Sequence, residues 1–140
     1  MELYIGGRCQ GKAAYVLNKK GLSQKHLLEA ECLPDASSWL EEQLVTEGLE
    51  KPTDFLVLNH LQYLIKKWLT NGKNPIEEIE IIMSHKPDII IICDEVGNGI
   101  VPIDKEERNY RETVGRTLCF LAERAETVER IFCGIGRRIK

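Results

Sequence analysis

The chain of 140 residues predicts an α/β fold, a single domain over residues 1–140 with a mostly parallel sheet and helices on both faces. Three observations carry that expectation. Short apolar runs alternate with amphipathic stretches along the whole length, the pattern of strand–helix–strand units. The run Ile89-Ile90-Ile91-Ile92-Cys93 is apolar at every position, as in a strand covered on both faces. A glycine-rich turn, Gly6 to Gly11, lies between an apolar run and a helical one, where α/β proteins turn from strand to helix. A chain of this length buries a core without disulfides or structural metal.

Leu3-Tyr4-Ile5 is the first strand and runs into Gly6-Gly7. A helix follows from Gly11 to about Lys20, and Gly21 stops it. Asp35-Ala36-Ser37-Ser38 starts another helix, with capping-box spacing between Ser38 and Glu41. Its buried stripe is Trp39, Leu40, Leu44 and Val45, and Gly48 ends it. Phe55-Leu56-Val57-Leu58 is a short buried strand after Pro52. Leu61, Leu64, Ile65, Trp68 and Leu69 fall at helical spacing, closed by Asn71-Gly72. Asn74-Pro75 opens a further helix, with proline at its first position. After the Ile89–Cys93 strand comes a glycine loop, then a polar amphipathic helix from about Asp104 to Ala125, and Val128 to Cys133 is the last strand.

The formal charge of −3 argues against nucleic acid as a partner, because polyanion binders are ordinarily basic. No segment reaches the roughly 18 apolar residues of a membrane span. The N-terminus, MELYIGG, lacks the basic-then-apolar form of a signal peptide, so a cytoplasmic location is expected. The five cysteines, Cys9, Cys32, Cys93, Cys119 and Cys133, have no paired spacing for zinc. They read as reduced thiols, several of them packed in core strands.

The strongest local signal is Gly6-Gly7-Arg8-Cys9-Gln10-Gly11-Lys12-Ala13. It fits G-x-x-x-x-G-K in a strand–loop–helix context. Glycines let backbone wrap a phosphate chain, and helix N–H groups supply positive potential. Lys12 is the point charge for the terminal phosphates. Ala13 stands where a hydroxyl would ligate Mg²⁺, so the loop reads either as a working nucleotide site or as a vestigial glycine turn. The second signal is Asp94-Glu95, at the carboxyl end of the apolar strand, where open α/β sheets place ligand chemistry. Asp94 is the candidate metal residue and Glu95 the candidate catalytic acid or base. The alternative is that the acids cap a loop or pair with arginine. Arg108, Arg111 and Arg116 on the long helix are candidate substrate-binding residues, or else part of a solvated face with Glu106, Glu107 and Glu112. Of His26, His60 and His85, only His60 falls near the carboxyl edge of the sheet, and no catalytic triad can be assembled from them.

From Asp94 onward the motifs become specific. Asp94-Glu95-Val96-Gly97-Asn98-Gly99-Ile100-Val101-Pro102, then Arg111-Glu112-Thr113-Val114-Gly115-Arg116, then Gly134 to Lys140 resemble the bifunctional adenosylcobinamide kinase and adenosylcobinamide-phosphate guanylyltransferase family of cobalamin biosynthesis. Ile5 to Lys12 resembles that family's phosphate loop. The resemblance implies a P-loop NTPase-like domain, with ATP or GTP as phosphoryl donor and Mg²⁺ as cofactor. The acceptor it implies is a corrinoid side-chain hydroxyl. It also implies GMP transfer through a histidine nucleophile, and a homo-oligomer, a trimer. Three departures stand out: Ala13 replaces the hydroxyl, Asn59-His60 stands where an acidic residue is usual, and Lys20 to Pro34 is too short for both a second strand and the histidine segment. Three readings follow: a short transferase of the corrinoid pathway, a non-catalytic nucleotide- or corrinoid-binding descendant, or a subunit that partners a complete enzyme.

Overall fold

The computed structural model describes residues 1–33, 57–97, 99–100 and 102–140. The expected helix from Asp35 to Gly48, the residues Phe55 and Leu56, and Asn98 and Val101 lie outside those residues. Six strands form one sheet: β1 Glu2–Gly6, β2 Leu27–Glu29, β3 Val57–Asn59, β4 Ile90–Asp94, β5 Thr127–Phe132 and β6 Ile135–Arg138. The order is β2-β3-β4-β1-β5-β6. All neighbours pair parallel except β5 and β6, which form an antiparallel hairpin.

Four α-helices are described: α1 Lys12–Lys20, α2 Leu61–Thr70, α3 Pro75–His85 and α4 Lys105–Arg124. Their ends follow local chemistry. Gly21, at φ 65°, closes α1, and Leu22 N–H donates to the Leu17 carbonyl at 2.9 Å. Asn74 caps α3 through Ile76 N–H, at 3.1 Å, with Pro75 behind it. Asp104 caps α4 through the N–H groups of Glu106 and Glu107.

The period of two along each strand explains the apolar run. Ile91 and Cys93 of β4 face one layer, with Leu61, Leu64, Ile65 and Trp68 of α2, Ile79 and Ile82 of α3, and Val114 and Leu121 of α4. Ile90 and Ile92 face the other, with Tyr4, Val16, Leu17 and Ile131. With both faces buried, every β4 position is apolar until Asp94. The interior pair β1 and β4 therefore ends, on its carboxyl side, at Gly6 and Asp94, which are register partners.

Three expectations change. A sixth strand follows Cys133, so β5 is not the last. The second strand is present as β2, although Lys20–Pro34 is short, and it leads into a single 3₁₀ turn, Ala30–Cys32. Only Cys93 is buried; Cys9, Cys32, Cys119 and Cys133 are exposed, because they fall on loops, turns and the outer face of α4 rather than inside strands. No described helix is long and apolar enough to cross a membrane.

Candidate functional site

The glycine loop is shaped by the strands beside it. At Gly6 a Cβ would collide with the carbonyl oxygen of Ile131 on β5, so only glycine lets β1 pass its neighbour this closely. The chain then turns through left-handed conformations at Cys9 (φ 58°) and Gly11 (φ 78°) to enter α1. Gln10 fastens the turn to the β5–β6 hairpin. Its side-chain Oε1 accepts from Cys133 N–H at 2.7 Å, and its carbonyl accepts from Gly134 N–H at 2.9 Å. The first amides of α1 have no intrahelical acceptor and give this end positive potential. Cys9, Gln10, Gly11, Lys12, Ala13 and Ala14 line a cavity of about 160 Å³ together with Asn59 and His60. Arg8 is exposed and does not line it.

Lys12 does not project freely into this cavity. Its Nζ donates to the Gly7 carbonyl at 2.8 Å and forms an ion pair with Asp94 Oδ1. Both side chains are nearly sealed, Lys12 at 5% and Asp94 at 7% exposure. The other carboxylate oxygen of Asp94 accepts from Gln62 Nε2 at 2.9 Å, and Asp94 N–H donates to Gln62 Oε1 at 3.1 Å. Tyr110 of α4 donates to the Gln62 carbonyl at 3.1 Å. This chain of partners joins the loop, β4, α2 and α4. Beside it, burial and then the Asp94 charge push the Cys93 thiol up to about 12.

Glu95 and the arginines are also engaged. Arg130 grips Glu95 Oε2 through Nε at 3.2 Å and a terminal nitrogen at 2.9 Å. Arg108 donates to the carbonyls of Pro102 and Ile103, and Arg111 to that of Ile100 and to Glu107. Arg116 pairs with Glu112 on an exposed helix face. Glu95 and Arg111 share a second cavity of about 330 Å³, floored by Ile5, Val114 and Leu118.

His60 reaches the loop cavity, and it is left-handed at φ 59°. Its Nδ1 lies 3.0 Å from Glu29 Oε2, and Asn59 Nδ2 donates to both oxygens of the same carboxylate at 3.0 Å. His26 lies half-buried on a turn bonded to Ser23, and His85 lies exposed at the end of α3. These positions do not fit a Mg²⁺ bound beside the loop. Ala13 offers no oxygen, Asp94 has Lys12 on one oxygen and Gln62 on the other, and Asn59 turns its nitrogen to Glu29. Among the described residues no three acid, histidine or cysteine side chains cluster as metal ligands.

Two residues of this neighbourhood carry no mark in the sequence. Gln62 sits in the first turn of an amphipathic helix, where a glutamine reads as surface, yet it is buried against Asp94. Glu29 ends a three-residue strand whose existence only the pairing with β3 reveals, opposite Asn59.

Comparison with known proteins agrees with this architecture. The sequence profile described as cobinamide kinase / cobinamide phosphate guanyltransferase matches residues 24–139. The bifunctional adenosylcobalamin biosynthesis protein CobU of Salmonella typhimurium is 28% identical, over 91% of this chain and 78% of its own length. The profile covers β2 to β6 and all the motifs after Asp94, although it begins beyond the glycine loop. The chain belongs to the cobinamide kinase / cobinamide phosphate guanyltransferase family.

Proposed function

We propose that the chain serves cobalamin biosynthesis in the cytoplasm by binding ATP or GTP at Gly6–Ala13, with kinase-type phosphoryl transfer weak or lost and guanylyl transfer absent. The observation that carries this reading is the ion pair between Lys12 and Asp94. A nucleotide must draw Lys12 away from a buried carboxylate before the lysine can meet its phosphates. The loop amides and the start of α1 remain to hold the phosphate chain. Transfer depends on neutralising charge around the moving phosphoryl group. Here the lysine charge is already cancelled, and Ala13 gives a metal no anchor.

Under this reading Lys12 of the glycine loop and Glu95 at the carboxyl end of β4 are the catalytic pair. Glu95 acts as a base only when released from Arg130. Arg111, in one cavity with Glu95, Arg108 one turn before it and Arg116 further along α4 are the candidate contacts for the corrinoid acceptor. The guanylyl step lacks its nucleophile, since no histidine occurs between Leu27 and Asn59, the stretch that follows β2. A homo-oligomer, a trimer by resemblance, is supported by the edge strand β6. Ile135 of β6 and its register partner Phe132 of β5 lie across the hairpin from each other at 73% and 72% exposure. The Lys12–Asp94 pair also favours the non-catalytic reading, in which the protein holds nucleotide or corrinoid for a complete enzyme.

The test combines equilibrium nucleotide binding with phosphorylation of cobinamide by γ-labelled ATP and GTP. Saturable binding with turnover far below that of the Salmonella relative is expected. Turnover equal to that relative's would refute the weakened-transfer reading, and absence of any binding would refute the nucleotide site.

A further inference from the structure

The loop cavity is too small for a whole nucleotide, but it does not end at the loop. Gly11 and Ala14 also border a wider groove of about 540 Å³ along α1, completed by Tyr15, Asn18, Lys19 and Gly134. Its walls are held in place. The Tyr15 hydroxyl donates to Glu129 Oε2 at 2.9 Å, and the ring sits so close to Gly136 that a Cβ there would overlap it. Lys19 is ion-paired with Glu129, and its Nζ lies 5.6 Å from the Tyr15 ring centre. The other wall is the bare backbone of Gly134, fixed by the bond from its N–H to the Gln10 carbonyl. Of the side chains lining the groove, Asn18 alone keeps its hydrogen-bonding groups unengaged among the described residues.

We infer that this groove is a nucleobase subsite and that the Asn18 carboxamide reads adenine. The inference rests on the nucleotide-binding reading above and adds to it the base and the residue that selects it. Asn18 lies six residues beyond Lys12, about 9 Å along the helix axis, a distance comparable to the reach from a phosphate chain across ribose to its base. The glycine and alanine positions leave the entrance open to a flat ring. A carboxamide presents one donor and one acceptor side by side, which matches the N6–H and N7 edge of adenine. The same edge of guanine carries two acceptors and leaves the carboxamide oxygen unmatched. The lining holds no carboxylate that guanine N1–H and N2–H could use.

The test is calorimetric titration of the full chain with inorganic tripolyphosphate, ATP and GTP, for wild type, Asn18→Ala and Asn18→Asp. Both substitutions sit on an exposed face of α1, where alanine favours the helix. Wild type is expected to bind ATP more tightly than GTP and than tripolyphosphate. Asn18→Ala is expected to lose about tenfold for ATP, with tripolyphosphate unchanged, and Asn18→Asp to reverse the preference toward GTP. Unchanged ATP affinity in Asn18→Ala, an equal loss for tripolyphosphate, or a wild-type preference for GTP would each overturn the subsite while leaving the phosphate loop standing. Failure of all three ligands to bind wild type would overturn the loop reading and the subsite with it.

Discussion

Replacing Asp94 by asparagine separates the two roles open to Lys12. The substitution keeps the shape of the side chain and an acceptor for Gln62 Nε2, while the backbone bond from residue 94 to Gln62 Oε1 is untouched. What it removes is the charge facing Lys12, whose side chain is only 5% exposed. Breaking one half of a buried ion pair costs about 3–5 kcal/mol. Lys12 retains its bond to the Gly7 carbonyl, so the lower end, about 3 kcal/mol, is expected. For a domain of this size that corresponds to a fall in Tm on the order of 10 °C. The same change frees the lysine for a phosphate. A charge-assisted contact contributes about 1.5–3 kcal/mol, so the affinity for nucleotide should rise at least about tenfold. The assay is thermal unfolding of wild type and Asp94→Asn across an ATP series. The variant is expected to start lower and gain more from each increment of ATP. A variant that starts lower and gains no more than wild type would show that Lys12 serves the fold alone, and the phosphate-directed role would be refuted. Lys12→Met with Asp94→Asn, compared with the single changes, gives the coupling energy of the pair.

Ala13→Ser together with Asn59→Asp restores two oxygen donors at the loop and should make nucleotide affinity depend on Mg²⁺; titration with and without the metal reads this, and no difference from wild type would count against simple ligand loss. Incubation with radiolabelled GTP is expected to leave no acid-labile GMP on the protein, and a label mapped to His26 or His60 would disprove this. Burial raises the Glu2 carboxyl, but hydrogen bonds from Lys20 and Tyr4 outweigh it and hold the group below its ordinary value of 4.5. Because the folded value is depressed, its contribution is present above about pH 4.5 and is lost as the pH falls through the folded value. Glu2→Gln should therefore flatten the acid limb of a Tm–pH profile. Native alkylation should modify the four exposed cysteines and spare Cys93, whose buried thiol is pushed up to about 12; modification of Cys93 before unfolding would contradict its burial.

Much of this architecture was legible in the residues. The helix from Leu61, the proline-started helix at Pro75 and the long helix after Asp104 each carry both a periodic apolar stripe and an end signal, and all three form within a residue or two of the expected bounds. The Ile89–Cys93 run announced a doubly covered strand because burial on two faces leaves no polar position. Strands β2 and β6 were harder to see. Leu27–Glu29 is three residues long and exists through its pairing with β3, and Ile135–Arg138 exposes most of its side chains at the sheet edge. The loop glycines, Lys12 and Asp94 could be picked out singly from their types and contexts. That Lys12 and Asp94 neutralise each other depends on the register of β1 with β4, which spacing along a chain does not encode. The arginines show the same limit: the side chains of Arg108 and Arg111 fold back onto carbonyls of the loop preceding α4.

The most direct measurement is isothermal titration of ATP and GTP into the wild-type protein, with and without Mg²⁺. The expected result is saturable binding of one nucleotide per chain, with nearly the same affinity in both conditions, because the loop amides hold the phosphates and Ala13 gives the metal no oxygen. Binding that appears only with Mg²⁺ would contradict the metal-poor loop, and the absence of any binding would show that Gly6–Ala13 is a structural turn closed by the Lys12–Asp94 pair.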